Sequence, residues 1–205
     1  MAKRKNENGE KDGKYQKLSD REHVLTRADM YCNSITPCIE SYPVMNDTGK
    51  VEYKDVYVAP GLIQIIEEPI MNAADRVSAR YEPGSSIKHN TTKISFEMNE
   101  NEFTITNDGD GVPCDFLEEH GVYAPELIFG HLRTSTNYND SDQRLNAGRN
   151  GLGVKISNIF SEEVLLETID CTRSLRYKQK FHKNMSVIEK PKICLLYTSP
   201  SPRDS

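Results

Sequence analysis

Apolar residues at positions 62, 65, 66, 70, 73, 74 and 77 recur at the three-and-four spacing of a helix with one buried face, and they predict a helix over residues 61–79. Glu68 and Asn72 fall four apart on it, on one side and off the apolar stripe, and read either as a ligand-facing pair or as a solvated flank. Pro69 interrupts the pattern. It has no N–H for the Ile65 carbonyl and its ring clashes there, at a cost of about 3 kcal/mol unless the helix kinks or begins late. No neighbouring residue compensates this loss, so the geometry of Glu68 depends on how it is resolved.

Strict alternation replaces the helical period further along. Ile94, Phe96 and Met98, then Phe103 and Ile105, predict two strands of a hairpin turning near 99–101. The second strand runs into Asn107-Asp108-Gly109-Asp110-Gly111-Val112-Pro113. Alternating glycines at a strand tip either bring backbone close to a bulky group, with a polar side chain reading its edge, or merely end the strand. Residues 51–58, 163–169 and 175–181 also read as strands. Pro37, Pro43 and residues 46–49 are turn signals, and Ser19 caps a short helix. Pro125 opens another helix, from 126 to 132, and a further helix spans 151–160.

Two stretches lack periodicity. Residues 1–14 are charged and almost free of apolar side chains, the composition of a disordered tail, with Lys3-Arg4-Lys5 as a small basic cluster. Residues 134–146 are a polar run as long as a lid or a disordered loop.

Composition narrows the class. At 205 residues, 36% apolar and 28% charged, the chain suits one domain with a real core. A net charge of −5 excludes an electrostatic DNA clamp built from excess Lys and Arg. The five cysteines are odd in number and lack C-x-x-C pairing, which indicates neither a disulfide framework nor a zinc site. No apolar run approaches the ~18 residues of a membrane span, and the N-terminus has no signal-peptide core. An intracellular protein without a membrane partner is expected.

The densest chemistry lies at Gly148-Arg149-Asn150-Gly151-Leu152-Gly153-Val154-Lys155. Glycines here let backbone N–H groups close on an anion at the start of the next helix, although an Asn-Gly turn alone explains the same text. It is not the common P-loop: Val154 separates Gly153 from Lys155, and Ile156 stands where a Ser or Thr would hold magnesium. A metal bound here must be held from elsewhere in the chain.

These elements, in this order, resemble the N-terminal ATPase domain of type IIA DNA topoisomerases, within the GHKL ATPase superfamily. The resemblance runs over residues 15–193. It is carried by Tyr15-Gln16-Lys17 with Glu22-His23-Val24-Leu25, by 61–75, by Asn107-Asp108-Gly109 with Gly111-Val112-Pro113, by 125–138, by 148–155, by Asn158-Ile159-Phe160-Ser161 and by Asn184-Met185-Ser186-Val187. The segment from Gly130 to Tyr138 is similar to the eukaryotic and large-virus branch.

The resemblance implies an α+β fold, the GHKL ATP-binding sandwich, with a mixed, mostly antiparallel sheet and helices on one face. It implies ATP and Mg2+ as cofactors, Glu68 as the general base, Asn72 as the magnesium ligand and Asn107 as the nucleotide reader. Ser135, Thr136 and Asn137 fall on the nucleotide-contacting lid, and Gly148, Arg149, Asn150, Gly151, Leu152, Gly153, Val154 and Lys155 on the phosphate loop. It further implies a homodimer formed on ATP binding, double-stranded DNA as a partner of the full-length enzyme, and action in the nucleus or at a viral replication site. Another GHKL ATPase of chaperone or mismatch-repair type, or a non-hydrolysing nucleotide-binding module, are the alternatives.

The chain also departs from the family pattern: Pro69 replaces a helix former, Asn33 and Ala147 replace glycines, Leu152 a tyrosine and Asp110 an arginine. Asp110 is expected to point to solvent. Residues 194–205 show no family continuation and resemble translated vector sequence. On this reading the chain lacks the transducer lysine, the DNA-cleaving tyrosine and the metal-binding cleavage domain.

Overall fold

The computed structural model describes residues 17–81, 85, 87–132 and 152–196. Ser135, Thr136, Asn137, Gly148, Arg149, Asn150 and Gly151 lie outside the described residues, as do the tail over 1–14 and residues 197–205.

The elements follow in chain order: α1 Asp20–Thr26, α2 Asp29–Cys32, β1 Cys38–Met45, β2 Val51–Val58, α3 Pro60–Ser78, β3 Ile94–Met98, β4 Phe103–Asn107, β5 Phe116–Leu117, β6 Val122–Tyr123, α4 Ala124–Gly130, α5 Gly153–Phe160, β7 Glu163–Asp170, β8 Leu175–His182, β9 Val187–Ile188 and β10 Lys192–Leu195. A 3-10 turn, Ala79–Tyr81, follows α3. Every ladder among the described residues is antiparallel. β8 lies between β7 and β10 and also pairs with β9, while β1-β2, β3-β4 and β5-β6 are two-stranded. This is an α+β fold of antiparallel sheet and packed helices, as expected.

Local chemistry accounts for the boundaries. Ser19 caps α1 in a reciprocal box: Glu22 N–H donates to the Ser19 hydroxyl at 3.3 Å, and Ser19 N–H to the Glu22 carboxylate at 2.9 Å. Asn46 shapes the β1-β2 turn by accepting the N–H groups of Thr48 and Lys50, both at 3.0 Å. Pro43 is no turn residue. It sits within β1 opposite Tyr53, in a strand that among the described residues has a partner on one side only, where a missing N–H is tolerated.

The fourth helix starts at Ala124, places Pro125 second and stops at Gly130, two residues short of the predicted end. The Asn158 amide meets the Phe129 carbonyl at 2.7 Å and supplies a donor for that terminus. The β5-β6 pair had no sequence signal, being two residues a side. β10 pairs Cys194 with Arg176 and Leu195 with Leu175, so its ladder runs past residue 193.

Two apolar clusters meet around α5. One joins Val24, Ile159, Phe181 and Met185 between α1, α5 and the sheet; the other joins Ala28, Cys32, Ile65 and Ile156 between α2, α3 and α5. Five consecutive residues of α5, 155–159, are buried. A helix buried on every side needs partners for its polar members. Here Asn158 reaches Phe129, and Ser157 donates to the Ile65 carbonyl at 2.7 Å.

That last bond resolves the Pro69 problem. α3 runs unbroken from Pro60 to Ser78 with Pro69 inside it. The Ile65 carbonyl, which proline cannot serve, takes its hydrogen bond from the side chain of a helix 92 residues away.

Asn33 closes α2 with φ 64° and ψ −171°. Glycine enters this region without penalty, whereas other residues lose of order 1–3 kcal/mol there. The Asn33 amide donates to the Gln64 side chain at 2.6 Å in a solvent-accessible bond, a modest return. Asn33→Gly is expected to raise the thermal midpoint, at about 2–4 °C for each kcal/mol recovered; a calorimetric scan of the two chains checks this.

Candidate functional site

The predicted helix meets Gly153, near the end of the glycine-rich stretch, where α3 packs on the N-terminus of α5. A Cβ built on Gly153 would collide with the Glu68 carboxylate and lie 3.7 Å from the Asn72 amide nitrogen. Glycine at 153 is therefore what lets the carboxylate approach the first turn of α5, where unpaired N–H groups carry partial positive charge. Residues separated by about eighty positions form one corner of a site.

Asn72 donates its amide N–H to the Glu68 backbone carbonyl at 2.7 Å. A carbonyl only accepts, so this bond fixes the amide's orientation and leaves Oδ1 to face outward from an exposed side chain. An outward-facing amide oxygen one turn from a carboxylate is a hard-donor pair that fits a magnesium ion bound mainly through water and phosphate. Among the described residues no group of three or more His, Cys, Asp or Glu side chains is placed to hold a metal.

Lys155 is 3% exposed, and burial pulls its ammonium down to about 8. Val154 and Leu152 are half-buried, and Leu152 packs on the Ala28–Cys32–Ile65–Ile156 cluster. Leucine in place of the family's tyrosine thus serves the core.

Asn107 ends β4, a strand packed against α3, and is exposed, its amide donating to the Asp108 carbonyl at 3.2 Å. The glycines after it answer to the protein's own backbone. Gly111, at φ 72°, lies so close to β7 that a Cβ would collide with the Ile169 carbonyl and sit 2.9 Å from the Thr168 hydroxyl. The approach is sealed by Val112 N–H donating to that hydroxyl at 2.8 Å. Of the two sequence readings, the close approach is real, and its object is a neighbouring strand.

Asp110 does not point free into solvent. Half-buried, it accepts the backbone N–H groups of Lys88 and His89 at 2.6 and 2.9 Å. Burial pushes its carboxyl up, but those two bonds and the nearby charges of His89 and Arg76 hold it below the usual range. The substitution anchors the 88–89 loop.

Sequence reasoning missed a buried polar chain beneath α4. Gln179 donates to Glu126 at 2.5 Å and to the Glu189 carbonyl at 2.9 Å, and accepts the Tyr177 hydroxyl at 2.7 Å. His131 completes it, 3.6 Å from Glu126. The alternation of β8 was a signal for Tyr177 and Gln179, since both fall on its inward face.

A helix carrying Glu68 and Asn72, met at Gly153 by the N-terminus of a second helix beside antiparallel sheet, is the arrangement the chain presents. Residues 57–187 match the family described as histidine kinase-, DNA gyrase B- and HSP90-like ATPases, and the chain belongs to that family. It is 39% identical over 189 residues to DNA topoisomerase 2 of Meyerozyma guilliermondii, a match covering 92% of this chain and 13% of that protein. Over 179 residues it is 39% identical to DNA topoisomerase 2 of Arabidopsis thaliana, covering 87% of this chain and 12% of that one. The crystal structure of the ATPase region of Saccharomyces cerevisiae topoisomerase II superimposes with a TM-score of 0.81 at 38% identity, over 91% of this chain and 48% of that one. The chain thus spans about an eighth of the length of the curated relatives it matches. No helix among the described residues is long and apolar enough to cross a membrane.

Gly153→Ala separates stability from site geometry. The added methyl gains helix propensity of about 1 kcal/mol, and the atom it strikes is the movable end of Glu68, so the midpoint without nucleotide is expected to stay within about 3 °C. The upward shift produced by saturating Mg-ATP is expected to fall by about half or more, because the carboxylate and the loop no longer share their corner; thermal scans with and without nucleotide check both halves.

Proposed function

We propose that the chain is the nucleotide-binding gate of an ATP-dependent type II DNA topoisomerase, and that ATP binding closes a homodimer which the whole enzyme couples to passage of one DNA duplex through another. The observation that carries this reading is the Glu68 carboxylate seated against Gly153, with Asn72 one turn on.

In this role Glu68 takes the proton of the attacking water as the bond to the γ-phosphate forms. Asn72 contributes its outward oxygen to Mg2+, which when bound neutralises phosphate charge. Asn107 reads the base edge. Residues 148–155 cradle the phosphates, with Gly153 N–H and the Lys155 ammonium as donors, and Ser135, Thr136 and Asn137 contact nucleotide from the lid segment. Double-stranded DNA is a partner of the longer protein, since the net charge of −5 here offers no general clamp. The site of action is inside the cell, in the nucleus or at a viral replication site.

The relatives named above favour this over a chaperone or mismatch-repair ATPase. The continuity of α3 through Pro69 supports the hydrolysing reading over a non-hydrolysing nucleotide-binding module.

Titration of a fluorescent ATP analogue with Mg2+ tests the assignment. Asn72→Ala and Lys155→Ala are each expected to weaken binding by about tenfold, the loss of one charge-assisted contact; undiminished binding in both variants refutes it. The pH dependence is a second measure. Lys155 is charged below about 8 and loses its proton above it, so affinity is expected to be flat below that pH and to fall above it. Lys155→Arg, which stays protonated, is expected to flatten the fall.

A further inference from the structure

Two cross-helix contacts join α3 to α5, one turn apart on each helix. Gly153 abuts the Glu68 carboxylate, and Ser157, one turn further along α5, donates to the carbonyl of Ile65, one turn back along α3. The line of contact runs forward on one helix and backward on the other. Holding the second contact therefore sets the spacing and register of the first.

The Ile65 carbonyl is available only because residue 69 is proline; in an ordinary helix it would take the N–H four residues on. A helical serine more often bonds back to the carbonyl four residues earlier on its own helix, and here it is turned outward to a neighbour. Ser157 is 2% exposed and Ile65 8%, so without the hydroxyl the carbonyl is left unpaired inside the core.

We propose that Ser157 is a positioning residue for the nucleotide site, its hydroxyl replacing the backbone N–H that Pro69 lacks and holding the Glu68–Asn72 turn of α3 against the N-terminus of α5. The proposal rests on the nucleotide-site reading above. It makes residues 69 and 157 a single device: with proline at 69 the hydroxyl is required, and with any residue bearing an N–H it is dispensable.

A double-mutant cycle on the full chain tests this, using Ser157→Ala, Pro69→Ala and the double variant, with the thermal midpoint and the Kd of a fluorescent ATP analogue in Mg2+ buffer as readouts. Ser157→Ala is expected to lower the midpoint and weaken the analogue about tenfold, the loss that follows an unpaired buried carbonyl beside the site. Pro69→Ala and the double variant are expected to bind within about twofold of wild type, because the restored N–H serves Ile65. An equal loss from Ser157→Ala in both backgrounds overturns the proposal, as does no loss in either. Serine acting only as core filler would show that equal loss and no rescue. If the wild-type chain fails to bind the analogue, the nucleotide reading is overturned, and the midpoint cycle alone decides the coupling of 69 and 157, with additive shifts rejecting it.

Discussion

The hydrogen bond between the Ser157 hydroxyl and the Ile65 carbonyl is the interaction on which the rest of the site depends. A proline in the middle of a 19-residue helix would be expected to bend it at the residue that matters most. Here the orphaned carbonyl is satisfied from outside, and the helix continues through Glu68 and Asn72 to Ser78. The same bond fastens that helix to the one beginning at Gly153. A polar contact in this seam thus turns a local defect into an inter-element join, and it is worth more there than on a surface because both residues are buried.

The far side of the site is organised by backbone proximity. Gly111 presses on β7, Val112 is bound to Thr168, and Cys114 N–H donates to Asp170 at 3.0 Å. Asp170 is 3% exposed and is surrounded by donors, including Arg173 at 3.1 Å. Partial burial pushes its carboxyl up, yet the N–H groups of Cys114, Arg173 and Thr172 and the Arg173 guanidinium bring it below the ordinary range. The segment after β4 is therefore pinned to β7 at Gly111, Val112 and Cys114, while Asn107 at the end of β4 stays exposed.

Much of this was legible in the chain. The apolar spacing of α3, the alternation of β3 and β4 and the Ser19 cap each report a purely local rule, and all three elements formed where predicted. The juxtaposition of Glu68 with Gly153 was legible only through resemblance, since no local rule brings residues so distant in sequence together. Pro69 shows why the remainder was hidden: the deficit was visible four residues from Ile65, but its remedy belonged to another helix. Pro43, Asp110 and the end of α4 were misread for the same reason, because each is decided by a neighbour across space: an unpaired strand edge, the N–H groups of the 88–89 loop, and the Asn158 amide.

The burial of α5 on every face has a kinetic side. Eight residues are too few to hold a helix in water, so α5 can persist only once its surroundings exist. Those surroundings reach back as far as Val24 in α1, which shares a cluster with Ile159, and forward to Asn184, which donates to the Ile159 carbonyl at 2.9 Å. Such non-local closure is slow and highly cooperative. α5 is thus among the elements that depend most on distant ones, and a nascent chain that has not yet released residue 184 lacks one of the contacts that complete it.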